Sequence, residues 1–361
     1  MVPEYPETRI LVDCKNYVTY VLGSDYAGEI KKSFLRMWMY KIKQEGSLGL
    51  HAGSKQLVLE KGKTVNQLFF GLSATGKSTL TGHGMFLTPP LKAYLVQDDV
   101  VGLLGDGSVI GTENKGLYVK SDKLTPEEQP EIYKGITSPK AVLENIAVDE
   151  NGNPDFFDFR LTSNGRATIQ RSDMNNSSAF IDLNHVDQIF FITRNSLMPP
   201  VSRLSKQQAT LAFMLGESVE SSAGDPTQTG KAVRVVGTNP FIVGPAGMEG
   251  DRFYELIEGQ NAECFILNTG GIGIEGKSFH DISVRETVSI ILSIARNEFK
   301  WKKHPSINLE VPEIHLGTEF DPLKHFSEKD YIERTKVQAE DRKKWMMKFP
   351  ELKNNFLVNI Y

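Results

Sequence analysis

One octapeptide restricts this chain more than any other feature: Gly71-Leu72-Ser73-Ala74-Thr75-Gly76-Lys77-Ser78, a match to GxxxxGK[ST]. Each fixed position has a physical reason. The glycines reach the positive φ values that turn successive backbone N–H groups toward one anion. Lysine neutralises the outer phosphates, and the serine hydroxyl is suited to a nucleotide-bound Mg²⁺. Such a loop must leave a strand and enter a helix. Residues 65–70 (VNQLFF) supply the strand-like run, and helix-compatible residues follow Lys77. A nucleoside triphosphate is therefore expected, with residues 71–78 and Thr79 around its phosphates.

The rest of the pattern reads as mixed α/β. Strands are expected at 17–22, 92–97, 186–193 and 261–267, and helices at 27–41, after Ile282, and at 327–348. In the last of these, Tyr331, Ile332, Val337, Trp345 and Met346 supply a packing face for a peripheral C-terminal helix within residues 327–361. Between residues 103 and 158, short apolar runs broken by Gly-Asp-Gly and Asn-Gly-Asn-Pro predict strands of a mixed sheet. With no internal repeat or low-complexity linker, residues 1–361 read as one unit.

Bulk properties narrow the function. The 361 residues are 40% hydrophobic, enough for a folded core, and 41 basic against 45 acidic residues give a net charge of −4. No broad positive field exists for nucleic acid or an anionic membrane, and no stretch stays apolar for about 18 residues. Cys14 and Cys264 stand far apart without metal-ligand spacing, which fits a reducing, cytoplasmic setting.

Asp98-Asp99 closes an apolar strand, where a carboxylate can hold a metal opposite the phosphates. Lys31-Lys32 on a helix and His51 carry no assignable role from spacing alone. Together, however, these motifs resemble the ATP-dependent phosphoenolpyruvate carboxykinase family. The resemblance rests on Tyr26-Ala27-Gly28-Glu29-Ile30-Lys31-Lys32, His51, the glycine loop, Asp98-Asp99, Leu143-Glu144-Asn145, Arg166 and Pro199-Pro200-Val201-Ser202-Arg203-Leu204. It continues through Pro226-Thr227-Gln228-Thr229, Leu267-Asn268-Thr269-Gly270 and residues 282–287.

The resemblance implies a P-loop α/β fold with mixed sheets, with ATP, Mg²⁺ and Mn²⁺ as cofactors and oxaloacetate or phosphoenolpyruvate as the small-molecule substrate. Mn²⁺ would be held by Lys32, His51 and Asp99, which requires Lys32 to be a neutral amine. Ser78 and Asp98 would serve the nucleotide-bound metal. Lys31, Lys77 and Arg166 would surround the transferring phosphoryl group, where cations stabilise its equatorial oxygens. Ser73 would touch phosphate, Tyr26 the substrate and Thr287 the nucleotide. Glu144 would either order the site or act through the metal shell.

Three departures from the family pattern carry expectations of their own. Only 25 residues precede Tyr26, and Arg9 is the sole arginine among them. Residues 1–60 thus read as a remnant of the substrate-binding side. The chain is then a fragment, is completed by a second chain, or phosphorylates another carboxylate acceptor. Asp281 stands where the family has an arginine near the base. Ala74 and Ser78 replace the commoner glycine and threonine, and serine performs the Mg²⁺ role equally well.

Overall fold

The computed structural model of the chain describes residues 8–361 apart from 25, 73–74, 128, 161, 163, 220–231 and 315. Its centre is an eight-stranded mixed sheet. Along the chain its strands are β1 (Ala52–Val58), β2 (Thr64–Phe70), β3 (Lys92–Gln97), β4 (Gln188–Thr193), β5 (Val201–Leu204), β6 (Glu263–Asn268), β7 (Trp301–Lys303) and β8 (Glu310–Pro312), in the spatial order β7-β8-β5-β6-β4-β2-β1-β3. The middle three, β6, β4 and β2, run parallel, and the flanking strands run antiparallel. This is the mixed α/β architecture expected.

Alternation along the parallel strands explains the core. Leu68, Phe70, Ile189, Phe191 and Ile266 face one layer, and Val65, Phe69, Phe190, Ile192, Phe265 and Leu267 face the other. Phe69, Phe190 and Phe265 are register partners on adjacent strands. Their rings stack at 5.1 and 5.4 Å, each pair adding about 0.5–1.5 kcal/mol beyond area burial. The helices are α1 (Ala27–Gln44), α2 (Lys77–Gly82), α3 (Pro130–Ile136), α4 (Lys206–Leu215), α5 (Gly247–Glu258), α6 (Val284–Ala295) and α7 (Glu328–Met346). Helices α4 and α5 cover the first face, where Phe213 and Phe253 stack at 4.4 Å, and α6 covers the second.

Two sequence expectations need correction. Residues 103–158 supply strands, as expected, but the sheets they join are antiparallel and not mixed. They form α3 and strands of smaller sheets, including Gly116–Lys120 and Val142–Glu144, which flank Arg166–Gln170. On α7, Ile332 and Val337 are exposed, while Tyr331, Thr335, Arg342 and Met346 face inward. That helix is anchored through charge: Arg342 and Arg234 both bond the buried Glu217 carboxylate, at 2.5 and 2.6 Å.

A buried lysine holds the far end of α2. Lys55 is fully buried, and its amine donates to the carbonyl of His83, which caps the C-terminal end of α2. Asn176 Nδ2 donates to the neighbouring Gly82 carbonyl at 2.6 Å. A six-residue helix cannot hold itself, so these two contacts fix the far end of the element that begins with Lys77. Burial pushes the Lys55 amine well below the lysine range. The folded state then binds fewer protons than the unfolded one, so stability rises with pH up to the unfolded lysine value, by at most about 1.4 kcal/mol per pH unit. Lys55→Met is expected to lose this rise, as measured by urea midpoints at about pH 7 and about pH 9.

Candidate active site

The C-terminal edge of the parallel strands is where open α/β sheets bind ligands, and the chain collects its charges there. Gly71 and Leu72 follow β2, Thr75 and Gly76 precede α2, His51 precedes β1, and Asp98-Asp99 follow β3. Because β1 and β3 are antiparallel, with Ser54 opposite Gln97, His51 and Asp99 arrive at one place.

Asp99 is the hub. Its Oδ1 lies 3.2 Å from His51 Nε2 and 3.5 Å from Lys77 Nζ, and its Oδ2 lies 3.2 Å from Lys31 Nζ. Burial alone would raise its pKa, but His51, Lys77 and Lys31 outweigh it and hold the carboxyl well below the usual range. His51 Nδ1 is 2.5 Å from the Thr238 carbonyl, which can only accept, so the ring proton resides on Nδ1. Burial, then the Lys77 charge, lowers the imidazole pKa. Nε2 faces the cluster, with Lys77 Nζ 3.1 Å away, and a divalent ion would take its lone pair from the neutral form of the ring. An ionised carboxylate and an oriented imidazole make a donor pair that fits a divalent ion. Asp98 is buried beside them, and burial pushes its carboxyl up to about 6 against the pull of Lys77.

Lys31 bridges Asp99 and a residue that sequence reasoning missed, Glu113, whose Oε1 is 2.9 Å away. Burial would lower the Lys31 pKa, but Glu113 and Asp99 overcome it and keep the ammonium firmly charged. Glu113 is itself gripped: its Oε1 accepts the Tyr118 N–H at 2.9 Å, and its carbonyl accepts from Gln97 at 2.8 Å. No spacing rule marks it, since it lies in the turn-rich run Thr112-Glu113-Asn114-Lys115-Gly116. Glu113→Gln should free Lys31 to move and lower kcat about 10-fold, with nucleotide affinity retained, as read by steady-state kinetics.

Lys32 takes a different course from Lys31. Its amine lies 4.8 Å from the centre of the Tyr26 ring and 4.0 Å from Glu29. Tyr26 is the N-cap of α1, and its ring covers Gly28 so closely that a Cβ there would meet it at 2.2 Å. Glu144 orders this corner, accepting the Ala27 N–H at 2.7 Å and the Tyr118 hydroxyl at 2.5 Å. Arg166 pairs with Glu144 in strand register, and its guanidinium donates to the Gly165 carbonyl at 2.8 Å.

Within the loop, Thr75 Oγ1 donates to the Leu72 carbonyl at 2.7 Å, and a Cβ on Gly71 would lie 2.5 Å from the Thr75 hydroxyl oxygen. Gly76 has φ +96°. Thr269 Oγ1 donates to the Thr75 carbonyl at 2.7 Å, tying the loop to the end of β6. Ser78 and Thr79 are half-buried in the first turn of α2. Thr287 is buried in α6, its hydroxyl donating back to Ser283 O at 3.0 Å. Ser73, Ala74 and Pro226-Thr227-Gln228-Thr229 lie outside the described residues.

Sheet, loop and charged cluster define a P-loop α/β protein with a carboxylate, an imidazole and amines gathered beside the phosphate-binding turn. A family model described as phosphoenolpyruvate carboxykinase matches residues 4–319. A protein of Aeropyrum pernix named phosphoenolpyruvate carboxykinase (ATP) is 35% identical over 361 residues, covering 97% of this chain and 71% of its own length. Proteins of the same name from Mesorhizobium japonicum and Staphylococcus aureus are 29% and 30% identical, with 91% and 93% of this chain and 61% and 62% of their own lengths covered. The chain belongs to the ATP-dependent phosphoenolpyruvate carboxykinase family. Among the described residues, no helix is long and apolar enough to cross a membrane.

Proposed function

We propose that this chain carries the phosphoryl-transfer centre of a phosphoenolpyruvate carboxykinase, converting oxaloacetate and ATP to phosphoenolpyruvate, ADP and CO₂. The observation that carries this reading is the meeting of His51 Nε2, Asp99, Lys31 and Lys77 beside residues 71–78. The carbon–carbon bond to the departing carboxylate breaks, its electron pair forms the enolate, and the enolate oxygen attacks the γ-phosphorus as ADP leaves. The family depends on ATP and divalent metal ions, which supply Lewis-acid stabilisation of negative oxygen when bound. His51 and Asp99 would hold one such ion with the Lys32 amine, and Ser78 and Asp98 would serve the nucleotide's. Lys31, Lys77 and Arg166 place positive charge around the transferring group, Tyr26 faces the acceptor and Thr287 the nucleotide.

Small-molecule substrates need an acceptor clamp as well. On the hairpin Arg9–Asp13/Val18–Leu22 and on α1, Leu11, Tyr17, Tyr20, Ile30 and Phe34 are exposed. A further polypeptide segment or a second chain completing the acceptor side would cover that face, and transfer to another carboxylate is the reading if none does. Unpaired Cys14 and Cys264 agree with a cytoplasmic enzyme. The test is direct: purified chain with ATP, Mg²⁺ and Mn²⁺, with and without oxaloacetate, following phosphoenolpyruvate. Product that depends on oxaloacetate upholds the reading. MgATP binding without product, even in cell extract, moves the acceptor elsewhere.

A further inference from the structure

We infer that Arg194 is an additional binding residue for the polyphosphate of the nucleotide, an inference that rests on the nucleotide reading above and deepens it. Arg194 directly follows β4, the middle parallel strand, at the edge where the glycine loop lies. Strand alternation puts it on the face of Phe190 and Ile192. That face carries the loop: the Ile192 Cβ lies 3.3 Å from where a Cβ on Gly71 would stand. Thr269 stitches the two together, its N–H donating to Thr193 O at 2.9 Å and its hydroxyl to Thr75 O at 2.7 Å. The Arg194 stem lies against the next residue, Gly270, where a Cβ would meet the arginine Cβ at 3.0 Å and its Cα at 3.1 Å. A side chain at 270 would push the arginine away from this edge.

Its guanidinium is left with an unmade donor among the described residues. The backbone N–H donates to Ser218 Oγ at 3.2 Å, yet the buried Nε has no hydrogen-bond partner, and no carboxylate pairs with the guanidinium among the described residues. The cluster's lysines differ in this respect: Lys31 and Lys77 both meet Asp99. A buried donor left unmade is costly, and a fork of N–H donors beside a phosphate loop is suited to phosphate oxygens, which it can bind in pairs. Here it would reach the anion from the side of β4 and β6, opposite Lys77 on α2. The ligand class is a nucleoside di- or triphosphate, not a nucleoside monophosphate.

The experiment is calorimetric titration of AMP, ADP and ATP, with Mg²⁺, into the wild-type chain, Arg194→Gln and Arg194→Lys. Loss of one charge-assisted contact should weaken ATP and ADP about 10- to 100-fold in Arg194→Gln, with AMP changed less than about 2-fold and Arg194→Lys between. Equal weakening of all three nucleotides would mean a structural role and overturn the inference, as would unchanged ATP affinity. Should Arg194→Gln fail to fold, Arg194→Lys decides alone, by whether its loss grows from AMP to ATP. A wild-type chain that binds none of the three overturns the nucleotide reading itself, a result distinct from either failure of the variants.

Discussion

Asp99→Asn is expected to lower kcat about 10³-fold at saturating ATP and Mn²⁺, because metal-borne charge stabilisation worth several kcal/mol depends on this carboxylate. Asparagine keeps the shape and removes the charge, which separates electrostatics from packing. In the native cluster one carboxylate answers Lys31, Lys77 and His51. Without it, Lys77 keeps the imidazole and the nearby Asp98, and Lys31 is left with Glu113. Stability should move too. The folded-state pKa of Asp99 is depressed, so its contribution is present above the unfolded value of about 3.9 and is lost as pH falls through the folded one. The variant should therefore be less stable than wild type near neutrality, with the gap closing in acid. Mn²⁺ titration, steady-state kinetics and urea midpoints read all three effects, and wild-type turnover in the variant would remove Asp99 from the centre of the chemistry.

The strand, loop and short helix around residues 64–82 were legible because phosphate binding demands glycine at fixed positions and an apolar strand before them. Residues 92–97 were legible to the residue because a half-buried strand ends in paired aspartates. Helices α4 and α5 were not. In α4 every residue from Ala209 to Leu215 is buried, so no polar stripe interrupts the run and its period is invisible. Its ends did carry a signal, the Ser205/Gln208 capping box and left-handed Gly216. The resemblance singled out Lys31, Lys77, His51 and Asp99, and the fold brings them together. It gave no hint of Glu113, Thr238 or Lys55, because their roles arise from contacts 82, 187 and 28 positions apart in sequence. Short polar segments such as Ala52–Val58 acquire meaning only when a sheet lays them beside a catalytic loop.

Lys77→Ala is expected to affect the two ligands of the site in opposite directions. For ATP, loss of the cation aimed at developing phosphoryl charge should reduce kcat/KM about 10²- to 10³-fold. For Mn²⁺ without nucleotide, binding should tighten. Lys77 Nζ lies 3.1 Å from His51 Nε2 and 3.5 Å from Asp99 Oδ1, so its ammonium competes for the two donors that a divalent ion would use. Bound ATP would draw Lys77 onto its phosphates and vacate those donors, which couples the two sites positively, and linkage requires the coupling to be reciprocal. In the alanine variant that coupling should vanish: Mn²⁺ affinity becomes the same with and without a nucleotide. The pH dependence follows from the same contact. Lys77 helps to depress the His51 pKa, second only to burial, so its removal lets the imidazole protonate at higher pH. Protons then compete with Mn²⁺ over a range in which wild type is indifferent. Titrations of Mn²⁺ at two pH values, with and without ADP, test this. Unchanged nucleotide coupling in Lys77→Ala would show that the ammonium does not move between the two sites.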